Sequence, residues 1–303
     1  MNSDVARIAN RAKREVIHRV PAVRRRVESQ RLALEDAHRP FLPRIDDEGR
    51  RLVSEMRADG VALTRWDAMG LPGVEELKPL LLELAGVLAD RDPKGSHTVL
   101  LGRDEMLEDI RLWQWGMRPE VLDLVENYLG VPVRYYGPLV HRECADGRMV
   151  DTRQWHRDIE DFRMMKILVW LNDVDEEGGP FTYVPRGPSE AAARTLRYVG
   201  GFVDDERFAA LVPRESWRRA TGPQWTAGVP DPVAIFHRAA PPVARDRYSV
   251  TFTWMTRRPF KTISAAPWRA DQVARCVDGL DERQRACLPP AMSAALPGIL
   301  SGV

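Results

Sequence analysis

Apolar residues recur first at helical spacing. From Val5 to His38, the positions Ile8, Val16, Ile17 and Val20 form one stripe, which predicts a helix packed on the protein body and broken or kinked at Pro21. Leu52, Val53 and Met56 mark a second helix from Asp46 to Arg57, stopped at Asp59-Gly60, where glycine accepts a left-handed cap. Val61-Ala62-Leu63-Thr64 reads as a strand. Val74 to Leu88 and Arg118 to Tyr128 predict two further helices, the latter ended by Gly130. Leu80, Leu81, Leu82 and Leu84 are assigned to core packing. The N-terminal third is therefore expected to be mainly helical.

The pattern changes after Gly130. Val131 to Glu143, Met164 to Leu171, Phe181 to Val184, Val233 to His237 and Arg247 to Met255 read as strands. They are bounded by turns such as Asp175-Glu176-Glu177-Gly178-Gly179-Pro180. Many short strands with such turns indicate a sandwich or jelly roll. The expected class is mainly β with α, with a jelly-roll core over about residues 131–256 and helices before and after it. A polar, partly helical insertion at about 189–227 has the length of a lid. After Pro259 the chain turns helical again. This divides the chain into a basic helical arm, 1–45, and a single domain, 46–303.

Composition narrows the function classes. A net charge of +1 over 303 residues favours neither nucleic acid nor a membrane surface. The arginines of the first helix (Arg7, Arg11, Arg14, Arg19, Arg24, Arg25, Arg26) are offset by Glu28, Glu35 and Asp36, as on a solvated helix. No apolar run reaches the roughly 20 residues of a spanning helix, and MNSDVARIAN has no secretory apolar core. Cys144, Cys276 and Cys287 have no CxxC spacing and suit free thiols in a reducing cytoplasm. A cytoplasmic, single-domain enzyme is expected; oligomeric state is open.

The chemistry lies in Trp155-His156-Arg157-Asp158 and in Phe236-His237, read as the end of an apolar strand. In an extended segment His156 and Asp158 share a side. With His237 they can give one metal two imidazoles and one carboxylate, leaving open positions, as in non-haem Fe(II) oxygenases. His141 alone is assigned to structure. If 2-oxoglutarate is the cosubstrate, its far carboxylate needs a planar bidentate cation. Arg247, at the start of the last strand, is that candidate, with Arg245 second. Arg247, Ser249, Thr251 and Thr253 share one face and Tyr248, Val250, Phe252 and Trp254 the other, so packing the apolar face on helices would turn the polar face into the barrel. Arg142, Gln154 and Trp155 are expected near the mouth, where they could touch substrate, with a structural role the favoured reading of each.

The blocks WHRDIEDFRMMKILVWLNDVDEEGGPFTYVP and FHRAAPPVARDRYSVTFTW resemble the phytanoyl-CoA dioxygenase family of Fe(II)/2-oxoglutarate-dependent oxygenases. The likeness runs from Asp46 to Met255. It implies a double-stranded β-helix with helices packed on one sheet. It also implies iron ligation by His156, Asp158 and His237, a 2-oxoglutarate clamp at Arg247, and Trp170 near the cosubstrate. The activity implied is hydroxylation of an unactivated C–H of a small molecule, such as a natural product, consuming O2 and releasing succinate and CO2. Desaturation or cyclisation are alternative outcomes, and a cupin-like metalloenzyme without 2-oxoglutarate is the rival class. Where many relatives have Pro-Gly-Ser-His, this chain has Pro185-Arg186-Gly187-Pro188-Ser189, which leaves that turn open. Halogenating relatives lack the carboxylate, so Asp158 disfavours halogenation.

Overall fold

A computed structural model describes residues 11–17, 19–260 and 267–295. Two antiparallel sheets form its centre. The larger has the order β1 (Val61–Arg65), β7 (Thr226–Pro230), β4 (Met164–Trp170), β9 (Arg247–Thr256), β3 (Val133–Glu143), β2 (Thr98–Leu100). The smaller has the order β6 (Arg218–Ala220), β5 (Phe181–Tyr183), β8 (His237–Ala239). Helices α3 (Asp47–Asp59), α4 (Val74–Ala89), α6 (Ile110–Trp115), α7 (Pro119–Leu129) and α10 (Ala270–Val277) contribute to the main core with the larger sheet.

Local chemistry sets the helix ends. Asp46 caps α3 by accepting the Gly49 N–H at 2.7 Å, and Asp47 and Glu48 place negative charge in the first turn. Pro119 opens α7, and Gly130 closes it in the left-handed conformation at φ +74°. Alternation along β9 then builds two layers. Val250, Phe252 and Trp254 join Trp66, Trp115 and Tyr135 in the helix-facing core. Trp170, Phe181, Tyr183 and Ile235 fill the space towards the smaller sheet.

Several expectations are corrected. Val233 to Phe236 is a turn, and β8 begins at His237 rather than ending there. The buried Asp231 carboxylate accepts the amides of Val233 (3.1 Å) and Ala234 (3.2 Å), which commits them to a turn instead of a ladder. Strands β2, β6 and β7 were not anticipated, and β7 lies fully buried between β1 and β4. The larger sheet therefore draws strands from before residue 131. Of the N-terminal stripe, Ile17 is buried, Val16 and Val20 are exposed, and Ile8 lies outside the described residues. Leu82 is exposed as well, on the outer face of α4.

The insertion packs an apolar core of its own. Its helices α8 (Arg186–Leu196) and α9 (Asp205–Ala209) enclose a separate apolar cluster of Ala192, Val203, Phe208, Val212 and Trp217 around Trp155.

Gly60, after α3, sits at φ +85°, and a Cβ there would lie 2.3 Å from the Ile235 Cγ2. Gly60→Ala should lose about 2–4 kcal/mol in urea unfolding, combining left-handed strain with overpacking. A loss below about 1 kcal/mol would show that the turn leading to His237 yields freely.

Candidate metal centre

Main-chain pairing brings the two halves of the site together. His156 and His237 exchange backbone hydrogen bonds of 3.0 and 2.9 Å. Trp155 does the same with Val203, at 3.0 and 2.8 Å, and the Asp158 N–H donates to the Pro232 carbonyl at 2.9 Å. The segment is thus held extended, with His156 and Asp158 on one side.

The imidazoles are oriented from behind. The His156 Nδ1 lies 2.9 Å from the Gln154 carbonyl and the His237 Nδ1 lies 3.3 Å from the Ile235 carbonyl. A carbonyl only accepts, so each Nδ1 carries the proton and each Nε2 presents a lone pair. The Asp158 Oδ1 stands 3.7 Å from the His156 Nε2 and 3.6 Å from the His237 Nε2. The ligand atoms of these residues all lie within 4.8 Å of one another. Cis ligands around an octahedral ion with bonds near 2.1 Å stand about 3 Å apart, so modest side-chain closure accommodates one ion.

Protonation also suits a cation. Burial holds both imidazoles below their usual pKa, His237 at about 3, with His156 adding to the effect on His237. Burial opposes ionisation of Asp158, but the nearby positive charge, that of Lys166 foremost, outweighs it and holds the carboxyl below its usual range. Neutral imidazoles and an ionised carboxylate are the ligand-ready forms. The Lys166 Nζ donates to the Asp158 Oδ2 at 2.6 Å, leaving Oδ1 towards the histidines.

On the same interior face, Arg247 is buried, and its Nε and Nη1 have no hydrogen-bond partner. Its guanidinium lies 5.2 Å from the centre of the Trp170 ring. Burial lowers its pKa to about 10, opposed by Glu143. Glu143 sits opposite Arg247 in register, yet its carboxylate is engaged by the Thr98 hydroxyl at 2.7 Å and by Arg153 at 3.0 Å. A buried cation with unused donors is costly in an empty protein and suits an anionic ligand. Asp158, His141, Lys166, Thr251 and Thr253 line a cavity of about 1260 Å³ that extends to Trp113 and Trp268.

The residues expected near the mouth take structural roles, the reading favoured for each. Trp155 is fully buried and stacks on Phe208 at 4.4 Å, so it anchors the insertion. Arg142 points away from the cavity and donates to the Ala89 and Arg91 carbonyls, both at 2.8 Å, behind α4. Gln154 acts on the site through its carbonyl. Arg245 is a surface residue paired with Asp175.

Sequence reasoning missed Lys166, Arg153, Asp231 and Ser189. The lysine was visible as one charge inside Met164-Met165-Lys166-Ile167-Leu168. Ser189 belongs to the turn left open above; its hydroxyl donates to the Val184 carbonyl at 2.7 Å and accepts the Phe236 amide at 2.9 Å. It thereby fixes the approach to His237. Nothing local in the sequence marked the other two.

No protein-family model matches the chain, and no curated protein matches it. Among solved structures, EctD from S. alaskensis in its apoform is similar with a TM-score of 0.50 and 16% identity, covering 74% of this chain and 85% of that one. EctD from S. alaskensis with bound Fe gives a TM-score of 0.50 and 15% identity, covering 74% and 84%. HygX from Streptomyces hygroscopicus, with nickel, 2-oxoglutarate and hygromycin B bound, gives 0.49 and 14%, covering 69% and 87%. The likeness to EctD is one of fold.

Because Arg247 carries unpaired buried N–H groups, Arg247→Met should make the ligand-free protein about 1–2 kcal/mol more stable in urea. A loss of more than about 1 kcal/mol would instead identify Arg247 as an internal structural cation.

Proposed function

We propose that this chain is an Fe(II)- and 2-oxoglutarate-dependent oxygenase that hydroxylates an unactivated C–H of a small molecule. The observation that carries the reading is the pairing of a two-histidine, one-carboxylate cluster with an unsatisfied buried guanidinium on the same interior face. The fold shared with EctD, which has been solved with bound Fe, supports it. The two sheets are then the halves of a double-stranded β-helix. The sequence blocks around His156 and His237 favour the phytanoyl-CoA dioxygenase family; with no family model matching, the proposal rests on the site.

The residues divide the work. His156, Asp158 and His237 would hold the iron through Nε2, Oδ1 and Nε2. Iron, 2-oxoglutarate and O2 together supply the oxidising power for hydroxylation, with 2-oxoglutarate converted to succinate and CO2. Arg247 offers its planar donors to the far carboxylate of 2-oxoglutarate, against the Trp170 ring. Lys166 occupies the second oxygen of Asp158 and favours single-oxygen ligation. Thr251 and Thr253 carry the polar wall outward to where substrate would lie, and the helix-backed sheet limits water entry from behind. Among the described residues no helix is long and apolar enough to cross a membrane. The three free, buried cysteines suit a reducing compartment, so we place the protein in the cytoplasm.

Anaerobic addition of Fe(II) and 2-oxoglutarate to the purified protein should produce the visible charge-transfer band of their chelate. His156→Ala should abolish it, and Arg247→Ala should require about 30–100-fold more 2-oxoglutarate, the cost of about 2–3 kcal/mol for a bidentate charged pair. No band in folded, iron-loaded wild type sinks the assignment. A band indifferent to Arg247→Ala moves the clamp elsewhere.

A further inference from the structure

A second cavity shares only Asp158 with the lining of the first. It has a volume of about 570 Å³ and opens between the N-terminal helices and α8. Arg14, Arg24, Arg157, Arg194 and Arg197 line it, in a chain whose net charge is +1. Among the described residues, none of these five forms an ion pair with a carboxylate, whereas Arg19 at the rim is spoken for by Glu15 at 3.7 Å.

Two of the arginines are withdrawn from solvent. Arg14 is buried, and its Nε donates to the Val199 carbonyl at 3.3 Å. The Arg157 Nε donates to the Val233 carbonyl at 2.7 Å. Burial lowers the pKa of Arg14. The acids in the lining are largely committed elsewhere. Asp158 is held by Lys166, and Asp161 accepts the Phe162 and Thr256 amides at 2.7 and 2.8 Å. Glu190 is exposed at the edge. The pocket therefore holds an excess of positive charge whose guanidinium groups are not engaged by carboxylates, an arrangement that an anion would complete. Phe162 and Phe260, packed with ring centres 3.9 Å apart, supply an apolar wall beside the cations.

We propose that this pocket binds a multiply charged oxyanion, a phosphate or diphosphate group, with the aromatic wall receiving the organic part of a phosphate ester. Guanidinium groups match the geometry of phosphate oxygens. Arg157 alternates with His156 and Asp158 and points away from their side of the segment, while Asp158 lines both cavities, so the binding test is run on the metal-free chain.

Isothermal titration of the metal-free full chain with inorganic pyrophosphate tests the proposal. Saturable one-to-one binding is expected, weakening as KCl rises from about 50 to about 300 mM. Arg157→Met and Arg194→Gln should each raise Kd by about tenfold or more, and Arg65→Gln, on a distant surface, should not. Arg194 is exposed, so its variant reads the site even if Arg157→Met fails to fold. Tighter binding of phenyl phosphate than of inorganic phosphate assigns the site to an ester; equal or weaker binding assigns it to the free anion. Absence of saturable binding, or binding lost in Arg247→Met but unchanged in Arg157→Met and Arg194→Gln, overturns the proposal. The charge-transfer experiment reads the metal site separately.

Discussion

The reciprocal backbone pair between His156 and His237 is the constraint on which the candidate site depends. It joins residues 81 apart in sequence and places both imidazoles on one short ladder. Ring separation follows from strand spacing, and the centroids stand 4.3 Å apart. The carboxylate is added by simple alternation, two residues beyond His156. The cluster is thus preorganised by main chain, which loses little entropy on binding a metal, instead of by flexible side chains finding each other. Flanking contacts protect that ladder: Trp155 pairs with Val203, Asp158 with Pro232, and Ser189 with the Phe236 amide.

Two neighbouring arginines show how burial separates support from binding. Arg153 is fully buried, and its guanidinium reaches Glu143, Asp146 and the carbonyls of His97, Cys144 and Arg148. Its bonds tie the loop before His156 to β3, so it is structural. Arg247 is equally enclosed, yet two of its nitrogens are unpaired because Thr98 and Arg153 already occupy the Glu143 carboxylate. The protein tolerates an internal cost at Arg247 that it removes at Arg153. That difference, rather than burial or charge alone, is what supports the proposed ligand role of Arg247.

Much of this was legible in the chain because it rests on local periodicity. Helix ends at Gly60 and Gly130, and the alternation of β9, follow from nearest-neighbour rules. The short strands were not legible. β7 contains glycine and proline in a five-residue run, and only its place between β1 and β4 makes it a strand. The apolar run Val233 to Phe236 misled for the converse reason. Its pattern suits a strand, but the Asp231 side chain captures its amides, and no window confined to the apolar residues reveals that. Candidate ligands were readable as types and spacing. Trp155 and Arg142 were misplaced because neighbourhood in sequence to a ligand says little about which face a side chain takes.

That alternation has a mechanical consequence. In the extended segment 155–158, His156 and Asp158 contribute to the candidate metal cluster, while Trp155 enters the core of the insertion and Arg157 the arginine-lined pocket, whose wall Asp158 also reaches. One short stretch of backbone therefore shares its two faces between the candidate chemistry and elements that could respond to another ligand. The Arg157 Nε bond to the Val233 carbonyl and the Asp158 N–H bond to the Pro232 carbonyl tie this stretch to the turn that delivers His237. A ligand that draws the Arg157 guanidinium towards itself competes with the bond to Val233, one residue beyond the Pro232 anchor. Arg157 is one peptide unit from each of the candidate ligands His156 and Asp158, and Asp158 itself lines the pocket, so a ligand bound there would lie directly against the candidate metal centre.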